Sequence, residues 1–534
     1  MKKKIFFTTA MTMALGVTLA SCGQVSNGSS GSSATSNQNS QTTITPVEDE
    51  TLTSVYNELK NGKSVKFDFW HSFGDAVSAP LIELVENFES EMTDKGFNID
   101  VNIVNKGGGY DGLRSAVNLG ADSGSIPTLV LGYPDHFADY IKQNLLLPLD
   151  SYVYNTNPDI ALEGVTTTSN DFVKSYWEET QMLIEGKTSV AGIPFNKSTE
   201  IMYYNSNVVD PILESKGWLS EKGTWDNPTW EQLFELSQYI VSNKSTISYT
   251  HNGGTYNVDS DMKYPVYVDS QSNFFITTSR QWGGTGKYTM INSNGVGVVT
   301  AYNKSNYEAQ TYFLNQAKNN LFQFPQAGGT GSYGSSYMAV RKAFISIGST
   351  AGVKNNDSKN YELKTTTVPQ KGYGATDTQA VIQQGTNLAI LSKASDNYQM
   401  MAAWLLTKYL SNAENQVFFS TSTGYLPVRN SARESADFKR LLDCASWDLS
   451  KLTNADDKMF YLQNSAVSKG INSAIAEIDY YYTDPAFNGS SVVRDNLETC
   501  VNDMYLYNKT FDQAMTAFYN ELAKSRIKLE KNMD

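Results

Sequence analysis

Three histidines (His71, His136 and His251), three cysteines and 55 acidic side chains are the groups from which this 534-residue chain could build chemistry. Zinc would need His, Cys or carboxylate ligands at close spacing, and neither a His-Glu-x-x-His helix nor a paired Cys motif occurs. No metal is expected. Gly283-Gly284-Thr285-Gly286-Lys287 has the outline of a phosphate-binding loop, but Tyr288 stands where Ser or Thr should reach magnesium. Gly348-Ser349-Thr350-Ala351-Gly352 puts Thr at the nucleophile position of a Gly-x-Ser-x-Gly elbow. Glycoside hydrolysis needs two carboxylates at a set separation in space, a pair that sequence alone does not single out. No catalytic residue and no cofactor is expected.

Cys22 has a different context. Lys2, Lys3 and Lys4 precede an apolar run from Ile5 to Ala20, diluted by four Thr, that ends in Leu19-Ala20-Ser21-Cys22. A spanning helix needs about 20 apolar residues, so this shorter run reads as an export signal. The Leu-Ala-Ser-Cys order resembles the lipobox of bacterial lipoproteins, which implies cleavage before Cys22 and its acylation. Residues 1–21 are then a signal peptide and residues 22–47 a disordered polar linker, too poor in apolar groups to offset ordering entropy. The expected location is the cell surface or periplasm, lipid-anchored to the membrane through Cys22.

Loss of residues 1–21, with three Lys and no acid, moves the formal charge from −13 to −16. So acidic a chain repels nucleic acid, and none is expected as a partner. Cys444 and Cys500 permit at most one disulfide, so stability must come from an ordinary core. About 485 residues follow the linker, enough for two or three domain-sized units.

The elements that must position any site alternate. Val65 to Trp70 reads as a strand, Pro80 to Phe88 as a helix, Ile99 to Val104 as a strand, Tyr110 to Leu119 as a helix and Thr128 to Gly132 as a strand. This predicts an α/β fold with a largely parallel sheet. Thr229 with Gln232, Ser411 with Glu414 and Thr510 with Gln513 have the spacing of capping boxes. Gln326 to Ser336 reads as an exposed loop.

A series of segments, taken in order, resembles family 1 of the extracellular solute-binding proteins of bacterial ABC importers, the group with maltose- and glycerol-3-phosphate-binding proteins. They are Phe69-Trp70-His71-Ser72, Ile126-Pro127-Thr128-Leu129-Val130, Asn144 to Asp150, Gly192 to Thr199 with Ile201 to Asn205, Pro228 to Leu233, Gly385 to Ile390, Ala402-Ala403-Trp404 and Gly424 to Val428. Their order and spacing over residues 63 to 432 carry the resemblance, and the last 100 residues match weakly.

The resemblance implies a two-lobed, periplasmic-binding-protein-like (type II) fold with the ligand cleft between lobes. It places lobe 1 at 48–196 plus 380–425 and lobe 2 at 197–379 plus 426–534, with crossings at Gly192 to Asn205, Gln379 to Leu391 and Gly424 to Val428. Carried over position by position, the ligand-binding residues are Tyr110, Asp135, Ser198, Ser349, Gly385 and Tyr425. Function follows as capture of a small solute by hinge closure and delivery to ABC permease subunits. Ala486 falls where the glycerol-3-phosphate branch has its phosphate-binding arginine, with Arg494 eight residues on, so an oligosaccharide is favoured and a glycerol-phosphate derivative comes second. A surface-anchored adhesin or sensor and an extracellular glycoside hydrolase are the alternatives.

Overall fold

The computed structural model describes residues 45–328 and 333–534. The expected signal peptide, Cys22 and most of the expected linker lie outside the described residues. Thr45–Asp534 form one compact unit. It is a mixed α/β structure organised around a nine-stranded sheet.

One end of that sheet is parallel. The strand Ser64–His71 pairs along its length with Asn98–Asn105 and at its end with Leu129–Gly132. The helices Asp75–Asp94 and Gly109–Gly120 connect these strands, as the apolar periodicity predicts. The crossing strands break the parallel pattern. Val381–Ile390 runs antiparallel to both Leu129–Gly132 and Ile193–Asn205, and Ile193–Asn205 continues antiparallel to Ile345–Ser349 and Leu363–Thr366. The sheet is therefore mixed rather than largely parallel, because the two long strands must return through the same gap.

Two hydrophobic cores sit at the ends of these long strands. One gathers buried residues from Leu52 to Phe195 and from Leu388 to Val428, and the other gathers Ile201 to Ile382 and Leu426 to Leu522. Between the cores both strands are polar yet buried: Asn196-Lys197-Ser198-Thr199-Glu200 on one, and Gln383 with Thr386 and Asn387 on the other. Buried polar groups need partners, and several of these find them across the two strands and in Glu179. Lys197 bonds the Glu179 carboxylate and the Gly385 carbonyl (3.1 Å), Thr386 Oγ1 donates to Asn196 Oδ1 (2.5 Å), and Asn387 Nδ2 donates to Glu179 Oε1 (2.8 Å). The third connection joins at the same point, since Leu426 N donates to the Lys197 carbonyl at 2.6 Å.

Local signals decide several ends. Thr229–Gln232 and Thr510–Gln513 both form capping boxes. Ser411 does not cap the next helix: it closes the Asn397–Leu410 helix, and Asn412 accepts from Asn415 N instead. Gln326 to Ser336 is not simply an exposed loop, because Pro325–Gly328 is a 3₁₀ turn and the Gly334–Ala339 helix begins within it with Gly334 and Ser335 buried. Gly283 to Gly286 ends the Gln271–Gly283 helix, with Gly284 (φ 75°) as its cap. Cys444 and Cys500 are free and buried. Among the described residues no helix is long and apolar enough to cross a membrane.

Candidate functional site

A cavity of about 490 Å³ opens between the two cores, walled by both. From the first lobe come Tyr110 and the run Tyr133 to His136. Gly107, Gly108 and Gly109 all adopt positive φ (59°, 68° and 66°), a conformation side chains resist, so the chain turns sharply and starts the Gly109–Gly120 helix with Tyr110 at its mouth. Pro134 occupies the first turn of the Pro134–Lys142 helix, where its missing N–H costs nothing, and Asp135 follows. The Tyr110 and Tyr133 rings meet edge to face at 5.1 Å.

The second lobe supplies the opposite wall. Ser270 caps the Gln271–Gly283 helix by accepting from Asn273 N, which sets Asn273 at the cavity; its Nδ2 donates to Glu200 Oε1 at 2.8 Å. Gly489 (φ 90°) lets the chain enter the Ser490–Tyr505 helix, and Ser490, Arg494 and Glu498 then recur every four residues on the face toward the cavity. Ser491 and Asp495, also four apart, reach the first lobe: Ser491 Oγ donates to Asp139 Oδ2 (2.9 Å) and Arg114 Nη2 to Asp495 Oδ2 (2.6 Å).

Five polar atoms of lining residues are buried without a partner: His136 Nδ1, Tyr288 Oη, Thr289 Oγ1, Gln383 Oε1 and Asp484 Oδ2. An unmet buried polar atom costs about 1–3 kcal/mol, so their convergence marks a place that a polar guest completes. Burial pushes the Asp484 carboxyl up to about 7 against the pull of Arg494 and Arg280, and raises Asp135 against Arg494 and Arg114. Burial opposes the charge of Arg494, but the carboxyls around it, Asp135 first and then Asp484, help to outweigh it and hold the guanidinium cationic. His136 is pushed down to about 3, first by burial and then by Arg114, and stays neutral.

The residues expected from sequence divide. Tyr110 and Asp135 line the cavity. Tyr425 lies one step behind, its hydroxyl 3.3 Å from that of Tyr110 and its ring stacked on Phe419. Ser198 is buried in the crossing strand opposite Gln384. Gly385 has φ 95°, and a Cβ there would lie 1.9 Å from the Asn196 carbonyl oxygen, so its bare backbone serves the approach of the two crossing strands. Its neighbours Gln383 and Gln384 face the cavity instead. Ser349 caps the Thr350–Gly352 turn and is not among the lining residues.

Asn273, Tyr288, Asp484 and Arg494 carry no motif that sequence reasoning recognises. Arg494 also corrects one expectation: Ala486 stands on the cavity wall as an uncharged residue, yet one helical turn past Gly489 the chain returns an arginine to the same cavity. The Ser490, Arg494, Glu498 spacing after Gly489 was the available signal.

Two α/β lobes joined by three connections, closing on a polar cavity, define a two-lobed binding protein. The chain belongs to the bacterial extracellular solute-binding proteins, whose family model matches residues 83–444. Solved structures share the fold. The GacH receptor of Streptomyces glaucescens, solved unliganded and with acarbose, is 14% identical with a TM-score of 0.61, over 86% of this chain and 98% of that one. UgpB of Mycobacterium tuberculosis in complex with glycerophosphocholine is 18% identical with a TM-score of 0.61, over 86% and 98%. An ABC substrate-binding protein of Listeria monocytogenes in complex with cycloalternan is 14% identical with a TM-score of 0.63, over 87% and 99%. No curated protein sequence matches. Thr483 to Ala486, Ser490, Arg494 and Glu498 lie beyond the residues that the family model matches.

Proposed function

We propose that this solute-binding protein is the lipid-anchored receptor of an ABC importer, holding a hydroxyl-rich solute in the interlobe cavity and handing it to permease subunits. The carrying observation is the convergence of unpartnered polar atoms on one cavity: His136 Nδ1 from the first lobe, Tyr288, Thr289 and Asp484 from the second, and Gln383 from the second crossing. Such a guest binds only where both walls are present, so it stabilises the closed state over an open one. Carbohydrate is the first choice: tyrosine faces match sugar rings, and mixed donors and acceptors match hydroxyls. The complexes of structural neighbours with acarbose and cycloalternan support it. A glycerol phosphodiester is second, favoured by Arg494 and by the neighbour holding glycerophosphocholine.

The lobe boundaries proposed are 48–196 with 380–425 and 197–379 with 426–534. Cys22 is proposed as the acylated anchor, so Cys22→Ala should release the protein from the membrane. A binding protein, unlike a hydrolase, returns oligosaccharide intact on prolonged incubation. The decisive experiment is a thermal-shift screen of oligosaccharides and glycerophosphodiesters, since a ligand at 100 times its Kd stabilises by about 2.7 kcal/mol. No shift across the panel, or a shift untouched by Arg494→Ala and Tyr110→Ala, refutes the site.

A further inference from the structure

We infer that the solute is cationic: the cavity is built for a carbohydrate carrying an ammonium group rather than for a neutral sugar. This rests on the proposal that the interlobe cavity is the solute site. Four carboxylates line it, Asp111 and Asp135 from one lobe and Asp484 and Glu498 from the other, against one guanidinium, that of Arg494. Arg494 donates to the neutral Asn273 Oδ1 and lies in the field of Asp135 and Asp484, so its single charge offsets only part of theirs. Arg114 bonds Asp495 at the rim at 2.6 Å, and Arg280, which also pulls on Asp484, is not among the lining residues.

The inner carboxylates are left with capacity to accept. Asp484 Oδ2 is buried without a partner, and the Asp135 carboxylate receives the His136 backbone N–H at 3.1 Å on Oδ1. The lone imidazole on the wall, His136, is held neutral and adds no positive charge. Burial disfavours the charged form of both inner carboxyls, and an ammonium group placed beside them would hold them ionised. An ammonium group meets that demand with three donors.

The aromatic lining points the same way. Tyr110, Tyr133, Tyr288 and Tyr333 surround the cavity, and ring faces attract cations as well as sugar faces. Tyr288 is 6% exposed and Thr289 3%, and both hydroxyls lack partners, which suits the hydroxyls on the body of the ligand. The formal charge of −13 steers cations toward the whole molecule.

Acetylation of an amino sugar removes the charge and keeps the ring, so it isolates the effect. Calorimetric titration of the full chain with glucosamine trimers, N-acetylglucosamine trimers and maltotriose should show the glucosamine trimer binding at least tenfold more tightly than either neutral sugar. Asp484→Asn and Asp135→Asn, made separately, should each weaken it at least tenfold and cut its advantage over the neutral sugars at least fivefold. Neutral sugars binding as well as or better than the aminated one overturn the charge assignment and leave the solute site standing. Aminated binding that both variants leave unchanged, or no binding by any of the three, overturns both.

Discussion

Arg114 of the first lobe donates to Asp495 of the second at 2.6 Å, while the next residue back along the same helix, Arg494, is attracted to Asp135 of the first. Each lobe thus offers an arginine to a carboxylate of the other, at neighbouring positions on one helix. Asp495 is 41% exposed and Arg114 9%, so the outer contact is a rim interaction with one anchored partner.

Breaking that contact should loosen closure without unfolding either lobe. Exposed pairs contribute about 0.2–1 kcal/mol, and Arg114 keeps Asp111 and Asp139 at 3.8 Å, so Asp495→Asn should weaken ligand binding by roughly two- to fivefold. Small-angle scattering of the free protein should show a larger radius of gyration in the variant, and salt should narrow the difference. Identical scattering profiles at low salt would rule out a closing role.

The crossing point makes a stability prediction. Lys197 is fully buried and Glu179 5% exposed, and their pairing compensates both charges where all three connections meet. Lys197→Met leaves the Glu179 carboxylate to the amides of Gln383 and Asn387 and should cost about 3–5 kcal/mol. Adding Glu179→Gln should recover part of that loss, which equilibrium denaturation of the single and double variants measures. A double variant less stable than Lys197→Met contradicts the account.

Glu200 sets a pH test. Burial raises its carboxyl to about 7, against the amide of Asn273 and the charge of Arg494, from an ordinary value of 4.5. Between these values the folded state binds more protons than the unfolded one, so the Glu200 contribution to stability is fully present below about 4.5 and is lost as pH rises through 7. His71 and His136, lowered to about 4 and about 3, act in the opposite sense as pH falls below 6.5, which is why the comparison must be between variants. Glu200→Gln keeps an acceptor for Asn273 and should gain on the wild type by up to roughly 3 kcal/mol between pH 5 and pH 8. A constant difference across that range excludes Glu200 as the titrating group.

Tyr288 separates a binding role from a structural one. Its hydroxyl is buried without a partner, so Tyr288→Phe should leave the free protein equally or up to about 1 kcal/mol more stable. The same change should lower affinity for a hydroxyl-bearing ligand about five- to tenfold, because the ligand then loses that bond. Reduced stability of the free variant, with affinity intact, is the contrary result.

The strands and helices of the first lobe are legible in the chain itself, since a period of two or of 3.6 residues is a local property. Ser64–His71 and Gly109–Gly120 both stand within a residue or two of the expected segments. The Ser411 cap failed for a reason equally local: two adjacent residues, Ser411 and Asn412, could both cap, and the end of the preceding helix claimed the first. Tyr110 and Asp135 reached the cavity wall through resemblance to a family, by their order among recognisable segments. Tyr425, Ser198, Gly385 and Ser349 came by the same route and stand in the supporting strands and turns.

The sequence by itself determined the class of protein, the alternation of its elements and the absence of a recognised catalytic motif, because these are carried by neighbours in the chain. Tertiary structure alone decided the composition of the site. Asp135, Tyr288, Asp484 and Arg494 are separated by up to 359 positions and share one cavity. Two buried polar strand segments must find partners in each other and in Glu179, and that requirement draws the lobes together at one point.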